Sequence, residues 1–110
     1  MEKLENYQNI ITQLLEEYAE YLNEPNIETQ VICDYKRNHF QLVKIGWENN
    51  KRYHYCVFHF DIKNEKIWLQ ENNTDIPITS DLERLGVIKS EIVLGIHAPS
   101  LRRYSDYAVS

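Results

Sequence analysis

Six side chains in this chain are of the types that hold transition metals: His39, His54, His59 and His97, with Cys33 and Cys56. Protein metal sites usually announce themselves as ligand pairs a few residues apart, and none of the six falls into a CxxC or HExxH spacing. Only His59 and Asp61, two residues apart and therefore on one face of a strand, could place two ligand atoms together. A strand histidine hydrogen-bonded to its neighbours is the commoner meaning of that spacing. Nucleophilic catalysis has no better footing. Cys56 sits in an apolar stretch whose burial would raise its thiol pKa and leave it inert. Glu16 and Glu17 are adjacent on a helix and do not converge as an acid and base pair would. Gly46, Gly86 and Gly95 are isolated and build neither a P-loop nor a dinucleotide-binding turn. The expectation is a non-enzymatic protein with no catalytic residue, no metal and no cofactor. A metal or small-molecule site around His59, Asp61 and His97 is the least supported alternative.

The elements that must position these groups follow from periodicity. Leu4, Tyr7, Ile11, Leu14, Tyr18 and Tyr21 recur at alternating intervals of three and four, widened by Ile10, Leu15 and Leu22, which predicts one long amphipathic helix. Pro25 ends it near Asn23. From Ile27 the period becomes two. Ile27 to Tyr35, Phe40 to Trp47, Arg52 to Ile62 and Lys66 to Gln70 read as four strands separated by short polar turns, an antiparallel meander. Ser80 is read as the N-cap of a short helix carrying Leu82 and Leu85, and Gly86 suits its C-terminus. Ile92 to Ile96 is a short apolar run of ambiguous type, and Pro99 opens an irregular tail. The expected fold is α+β: a long N-terminal helix packed on a four-stranded antiparallel sheet, then a short helix and an irregular C-terminal segment, all in one domain spanning residues 1–110.

Two consequences follow for partners. In a meander the first and third turns share one end of the sheet, so Lys36, Arg37, Lys63 and Lys66 should cluster there and could meet phosphates, with Arg102 and Arg103 in reserve. Charged turns are, however, ordinary solvated turns. Along the third strand, Cys56, Phe58, Phe60 and Ile62 form one apolar set, while Tyr53, Tyr55, Val57 and His59 form an opposite set that is also far from polar. An antiparallel sheet covered on one side normally presents a polar second face, so this one should be covered by the C-terminal segment or by another chain.

Composition bounds the rest. The 110 residues carry a net charge of −5 and 43% hydrophobic residues, which excludes disordered and collagen-like classes. The charge is uneven: −6 over residues 1–30, where seven acids face Lys3 alone, and +4 over residues 35–66. An acidic helix face and basic turns could therefore meet different surfaces. A pI of about 5.3 is far from that of an independent DNA binder. No apolar run is long enough to span a bilayer, the first residues lack the features of a signal peptide, and two cysteines are too few for a disulfide framework. A cytoplasmic location is expected, with no membrane partner.

The segment Gly46-Trp47-Glu48-Asn49-Asn50, followed by Phe58-His59-Phe60-Asp61-Ile62-Lys63 and Lys66-Ile67-Trp68-Leu69-Gln70, resembles the XisI family, the fdxN element excision controlling factor proteins of cyanobacteria. The resemblance continues through Gly86-Val87 and Ile92-Val93-Leu94-Gly95-Ile96-His97-Ala98-Pro99 to Tyr107-Ala108-Val109. Ile88 stands where the family commonly has proline, and Ile96 where it commonly has an aromatic residue. The resemblance implies a small α+β protein encoded beside a partner, XisH, and needed by a site-specific recombinase to excise a DNA element during heterocyst differentiation. It supplies no catalytic residues. Each motif residue also has a structural role open to it: Asn49-Asn50 as a hairpin turn, Trp47 and Trp68 as packing, Gly95 as a close approach. The expected function is thus that of an accessory factor in DNA excision acting through contacts with a XisH-type protein. Tyr53, Tyr55, His59 and Trp68 are the candidate contact residues. Self-association is a second expectation for the same face. Direct DNA contact through the basic turns is the alternative.

Overall fold

The computed structural model describes residues 2–110. Helix α1 (Glu2–Tyr21) is followed by strands β1 (Ile27–Asp34), β2 (His39–Glu48), β3 (Lys51–Lys63) and β4 (Lys66–Asn72), helix α2 (Ile78–Arg84) and strand β5 (Ile92–Leu94). Single 3-10 segments precede β5 (Lys89–Glu91) and follow it (Pro99–Tyr104). The strands lie in the order β1-β2-β3-β4-β5. The first four form the expected meander. The fifth is a correction: Ile92–Leu94 pairs parallel to β4, so the sheet is five-stranded and mixed. A parallel neighbour needs a crossover of a dozen or more residues, and the segment carrying α2 provides it.

Helix α1 buries Tyr7, Ile10, Ile11, Leu14 and Leu15 against the sheet. Facing them are Phe40 and Leu42 from β2, Phe58, Phe60 and Ile62 from β3, Ile67 and Leu69 from β4, and Ile92 from β5. Full burial of each such side chain stabilises by about 1.5–3 kcal/mol. The ends of the expected stripe, Leu4 and Tyr21, stay exposed. Helix α2 packs its buried Ile78 and Leu82 into the same core. Its start differs from expectation. Pro77, not Ser80, occupies the N-cap and no side chain caps it, so Ser80 lies inside the helix. Its end is as expected: Gly86 has φ +105°, Gly86 N–H donates to Glu83 O and Val87 N–H to Leu82 O. That is a Schellman closure, with Val87 buried in the core beside Leu82.

The hairpin turns follow their residues. Asn49 and Asn50 both have positive φ, the two-residue turn whose twist matches the strands it joins. Asn64 and Glu65 do the same between β3 and β4, but Glu65 at φ 61° adopts a conformation that costs a residue with a Cβ about 1 kcal/mol. Glu65→Gly is therefore expected to stabilise the protein by about 0.5–1 kcal/mol, read as a higher urea midpoint with an unchanged slope.

Candidate functional site

The side of the sheet away from α1 is set by two irregularities. Between β2 and β3 the pairing steps from Leu42–Phe58 to Val43–Cys56, leaving Val57 as an extra residue. Between β3 and β4 it steps from Phe60–Leu69 to His59–Glu71, leaving Gln70 as the extra residue. A β-bulge of this kind locally reverses which residues face which layer. The consequence corrects the sequence reading of β3. Tyr55 pairs with Lys44 and Tyr53 with Gly46, on the same side as Thr29, whose hydroxyl donates to Ala19 O of α1. Tyr53 and Tyr55 thus lie on the helix side, Val57 is buried, and Cys56 has crossed to the outer side. Of the four residues assigned to one contact face, His59 and Trp68 remain on it and Tyr53 and Tyr55 do not.

On the outer face, Val43, Ile45 and Trp47 run along β2, flanked by Gln30 and Glu28 on β1 and by Cys56, His54 and Arg52 on β3, with Ile32 farther along β1 opposite Gln41. Ile32 and Trp47 are 48% and 59% exposed, large fractions for such side chains. The Arg52 guanidinium lies over the Trp47 ring at 5.4 Å. Burial raises the Cys56 thiol pKa to about 11, with the nearby Glu71 carboxylate adding to it, so this thiol is unreactive at neutral pH.

The far side of the outer face is covered from within the chain. Ala108 pairs with Val93, which is fully buried, and its N–H donates to Ile92 O. The Arg102 Nε donates to the carbonyls of Leu94 and His97, placing its guanidinium 5.3 Å from the Trp68 ring, while Lys63 Nζ lies 4.1 Å from the same ring. Trp68 Nε1 is buried and has no hydrogen-bond partner among the described residues. The C-terminal segment therefore covers β4 and β5, and the outer face of β1 to β3 stays open.

At the boundary between the covered and open halves, the second row of the sheet brings His39, Asp61 and Trp68 side by side. His39 Nδ1 and His59 Nε2 lie 2.7 and 2.9 Å from the same oxygen, Asp61 Oδ1. The bulge residue Gln70 donates to Asp61 Oδ2 at 3.1 Å. Burial alone would raise the Asp61 pKa, but the hydrogen bonds from His39 and His59 outweigh it and hold the carboxyl below its ordinary value. His97 lies outside this cluster, in the exposed loop after β5. His39, a candidate ligand that the sequence reading left just before the second strand, is the first residue of β2 and takes its place.

The basic turns do share one end of the sheet: Ile62 N–H of β3 donates to Asn38 O of the first turn. Three of the four bases are nevertheless engaged. Arg37 pairs with Asp34 at 3.2 Å, Lys66 Nζ donates to Ser110 O at 2.6 Å, and Lys63 covers Trp68. Lys36 alone has no such side-chain engagement among the described residues. Lys44, counted among the bases, is buried and paired with Glu24. The acids Glu16, Glu17 and Glu20 are all exposed on the other layer.

The motif glycines have steric reasons. A Cβ on Gly46 would lie 2.3 Å from Asn26 O and 2.9 Å from Ile27 Cα, both backbone atoms. A Cβ on Gly95 would lie 2.4 Å from Gln70 Oε1, so Gly95 makes room for the side chain that holds Asp61. Ile88 has φ −80° and ψ 151°, a backbone that proline would also adopt, so the departure from the family pattern there changes nothing in the path of the chain.

A single helix and a five-stranded mixed sheet with short flanking helices define a small α+β protein with one covered and one half-open sheet face. The XisI protein family model matches residues 1–109, and the chain belongs to that family. Among solved structures, a XisI-like protein from Anabaena variabilis ATCC 29413 is similar over 97% of this chain and 99% of its own, at 44% identity and a TM-score of 0.92. The fdxN element excision controlling factor XisI of the same organism is similar over 98% and 99%, at 28% identity and a TM-score of 0.86. No curated protein matches. No helix of the described residues is long and apolar enough to cross a membrane.

Proposed function

We propose that this chain is a non-enzymatic, cytoplasmic accessory factor in the controlled excision of a DNA element, acting by binding a XisH-type protein through the open outer face of β1 to β3. The observation that carries the reading is the exposure of Trp47 beside Ile45, and of Ile32 farther along β1, on a sheet face that the C-terminal segment leaves bare. Exposed aromatic and aliphatic residues beside an arginine are the composition that protein interfaces favour. Membership of a family with a solved member named as an excision controlling factor supports the excision role. Co-expression with the XisH-type protein, followed by affinity capture and sizing, is expected to yield a stable complex at micromolar concentration. Absence of a complex would overturn the reading, and a dimer of this chain alone would reassign the face to self-association.

Direct DNA contact through Lys36, Arg37, Lys63 and Lys66 is the second reading, favoured by their gathering at one end of the sheet. Intramolecular engagement of three of them weighs against it. Gel shifts at physiological salt are expected to show no complex with this chain alone. A shift that weakens on Lys36→Glu with Lys63→Glu, together with a shallower salt dependence, would favour the DNA reading instead.

A further inference from the structure

We propose that His39, His59 and Asp61 form a binding site for a first-row divalent metal ion, zinc being the best match, on the outer face of the sheet. Among the described residues this is a group of three ligand atoms, two imidazole nitrogens and one carboxylate oxygen, that all lie within 4.8 Å of one another. Two imidazoles and one carboxylate, with remaining positions open, is a donor set that zinc and ferrous ions take up.

The arrangement is built rather than incidental. Both bulges of the sheet flank it: Val57 shifts β2 against β3 so that His39 falls opposite Asp61, and Gln70 is the extra residue of the other bulge. Gln70 holds the second carboxylate oxygen, leaving Oδ1 for the two histidines. Metal-bound carboxylates are oriented by such outer hydrogen bonds. Asp61 is anchored, with its side chain 12% exposed, whereas His39 is 53% and His59 28% exposed, so an ion has a solvent path to the cluster. The present contacts of 2.7 and 2.9 Å are hydrogen bonds. An ion replacing the shared protons would part the ligand atoms to about 3.3 Å, the separation that tetrahedral zinc bonds of about 2.0–2.1 Å impose. The half-exposed His39 ring can supply that movement. Water, or a side chain of a bound partner, would complete the coordination.

The test is titration of zinc into the metal-free full chain by calorimetry, with thermal melts alongside. One equivalent should bind at micromolar concentration or tighter, and saturating zinc should raise the melting temperature. His39→Gln and His59→Gln should each weaken binding by more than about tenfold and abolish the thermal shift, and Gln70→Leu, which removes only the outer hydrogen bond, by about tenfold. Cobalt should give the intense visible absorption of a four-coordinate ion, lost in His39→Gln. His39 is half-exposed, so that variant should fold with the circular dichroism of the unaltered chain, and its metal-free melt, lowered by the lost hydrogen bond to Asp61, is the baseline for its thermal shift. No uptake at about 0.1 mM zinc, an affinity too weak to matter at about 5 kcal/mol, would overturn the proposal. So would unchanged binding in both histidine variants, which would place the ion on His54 or His97.

Discussion

Phe58→Ala is expected to lower the unfolding free energy by about 3–5 kcal/mol, the cost of deleting a buried aromatic ring and leaving a cavity. Phe58 is fully buried, pairs with Leu42 of β2 and packs against Tyr18 of α1 with the ring centroids 5.6 Å apart and the rings tilted, so the ring joins the helix to the centre of the sheet. Its place beside the bulge residue Val57 limits collapse into the vacancy, because Val57 and Phe58 both fill the core there. Total stabilities of such domains are about 5–15 kcal/mol, so the variant should unfold at a much lower denaturant concentration with a similar slope. Equilibrium urea unfolding followed by circular dichroism measures it. A loss below about 1 kcal/mol would mean that the core does not run beneath β3 as described.

How much of this was legible in the sequence depends on whether the signal was periodic. Helix α1 and the four meander strands were read within a few residues of their ends, because threefold and fourfold spacing and strict alternation are carried by many side chains at once. Strand β5 has only Ile92, Val93 and Leu94, too few to show a period, and its partner is chosen by the crossover rather than by any local signal. The N-cap at Ser80 failed because the chain enters α2 through Pro77, whose fixed φ starts the helix without a side-chain cap.

The site was less legible, and one residue explains why. Counting outward from the Asn49-Asn50 turn, His39 falls opposite Phe60, and Tyr53 and Tyr55 share a face with His59. The extra residue Val57 moves His39 opposite Asp61 and sends Tyr53 and Tyr55 to the helix side. A bulge leaves no residue signature of its own in a run of Tyr, His, Cys, Val and Phe, all good strand formers. The available clue was a conflict: unbroken alternation requires Tyr53, Tyr55, Val57 and His59 to share one poorly solvated face. That conflict was read as evidence for a covering partner when part of it was evidence for a bulge. What survives of the argument is the smaller open face around Trp47, which unbroken alternation did not single out.

Trp47→Ala is expected to weaken binding to the XisH-type partner by roughly 30-fold or more, the loss of about 2 kcal/mol that defines an interfacial hot spot. Trp47 presents the largest exposed apolar side chain of the open face, and stacking of Arg52 on its ring holds it in a fixed position before any partner arrives. A rigid aromatic loses little freedom on binding, so most of its buried area contributes to affinity. Ile32→Glu, on the neighbouring strand, should weaken the complex similarly by setting an unpaired charge against the partner. Tyr55→Ala reports on the opposite side of the sheet and should leave affinity within about twofold, since most residues outside a binding centre contribute little. Glu16→Lys with Glu20→Lys reports on the acidic helix layer. Both residues are exposed there, and their reversal should change the association rate and its salt dependence only if the partner docks on the helix. Titration calorimetry of the four variants against one partner thus assigns the face. Loss at Trp47 and Ile32 with Tyr55 and the acids neutral places the partner on the outer sheet. Loss at Glu16 and Glu20 alone would move the interface to α1 and leave the open face to another copy of this chain.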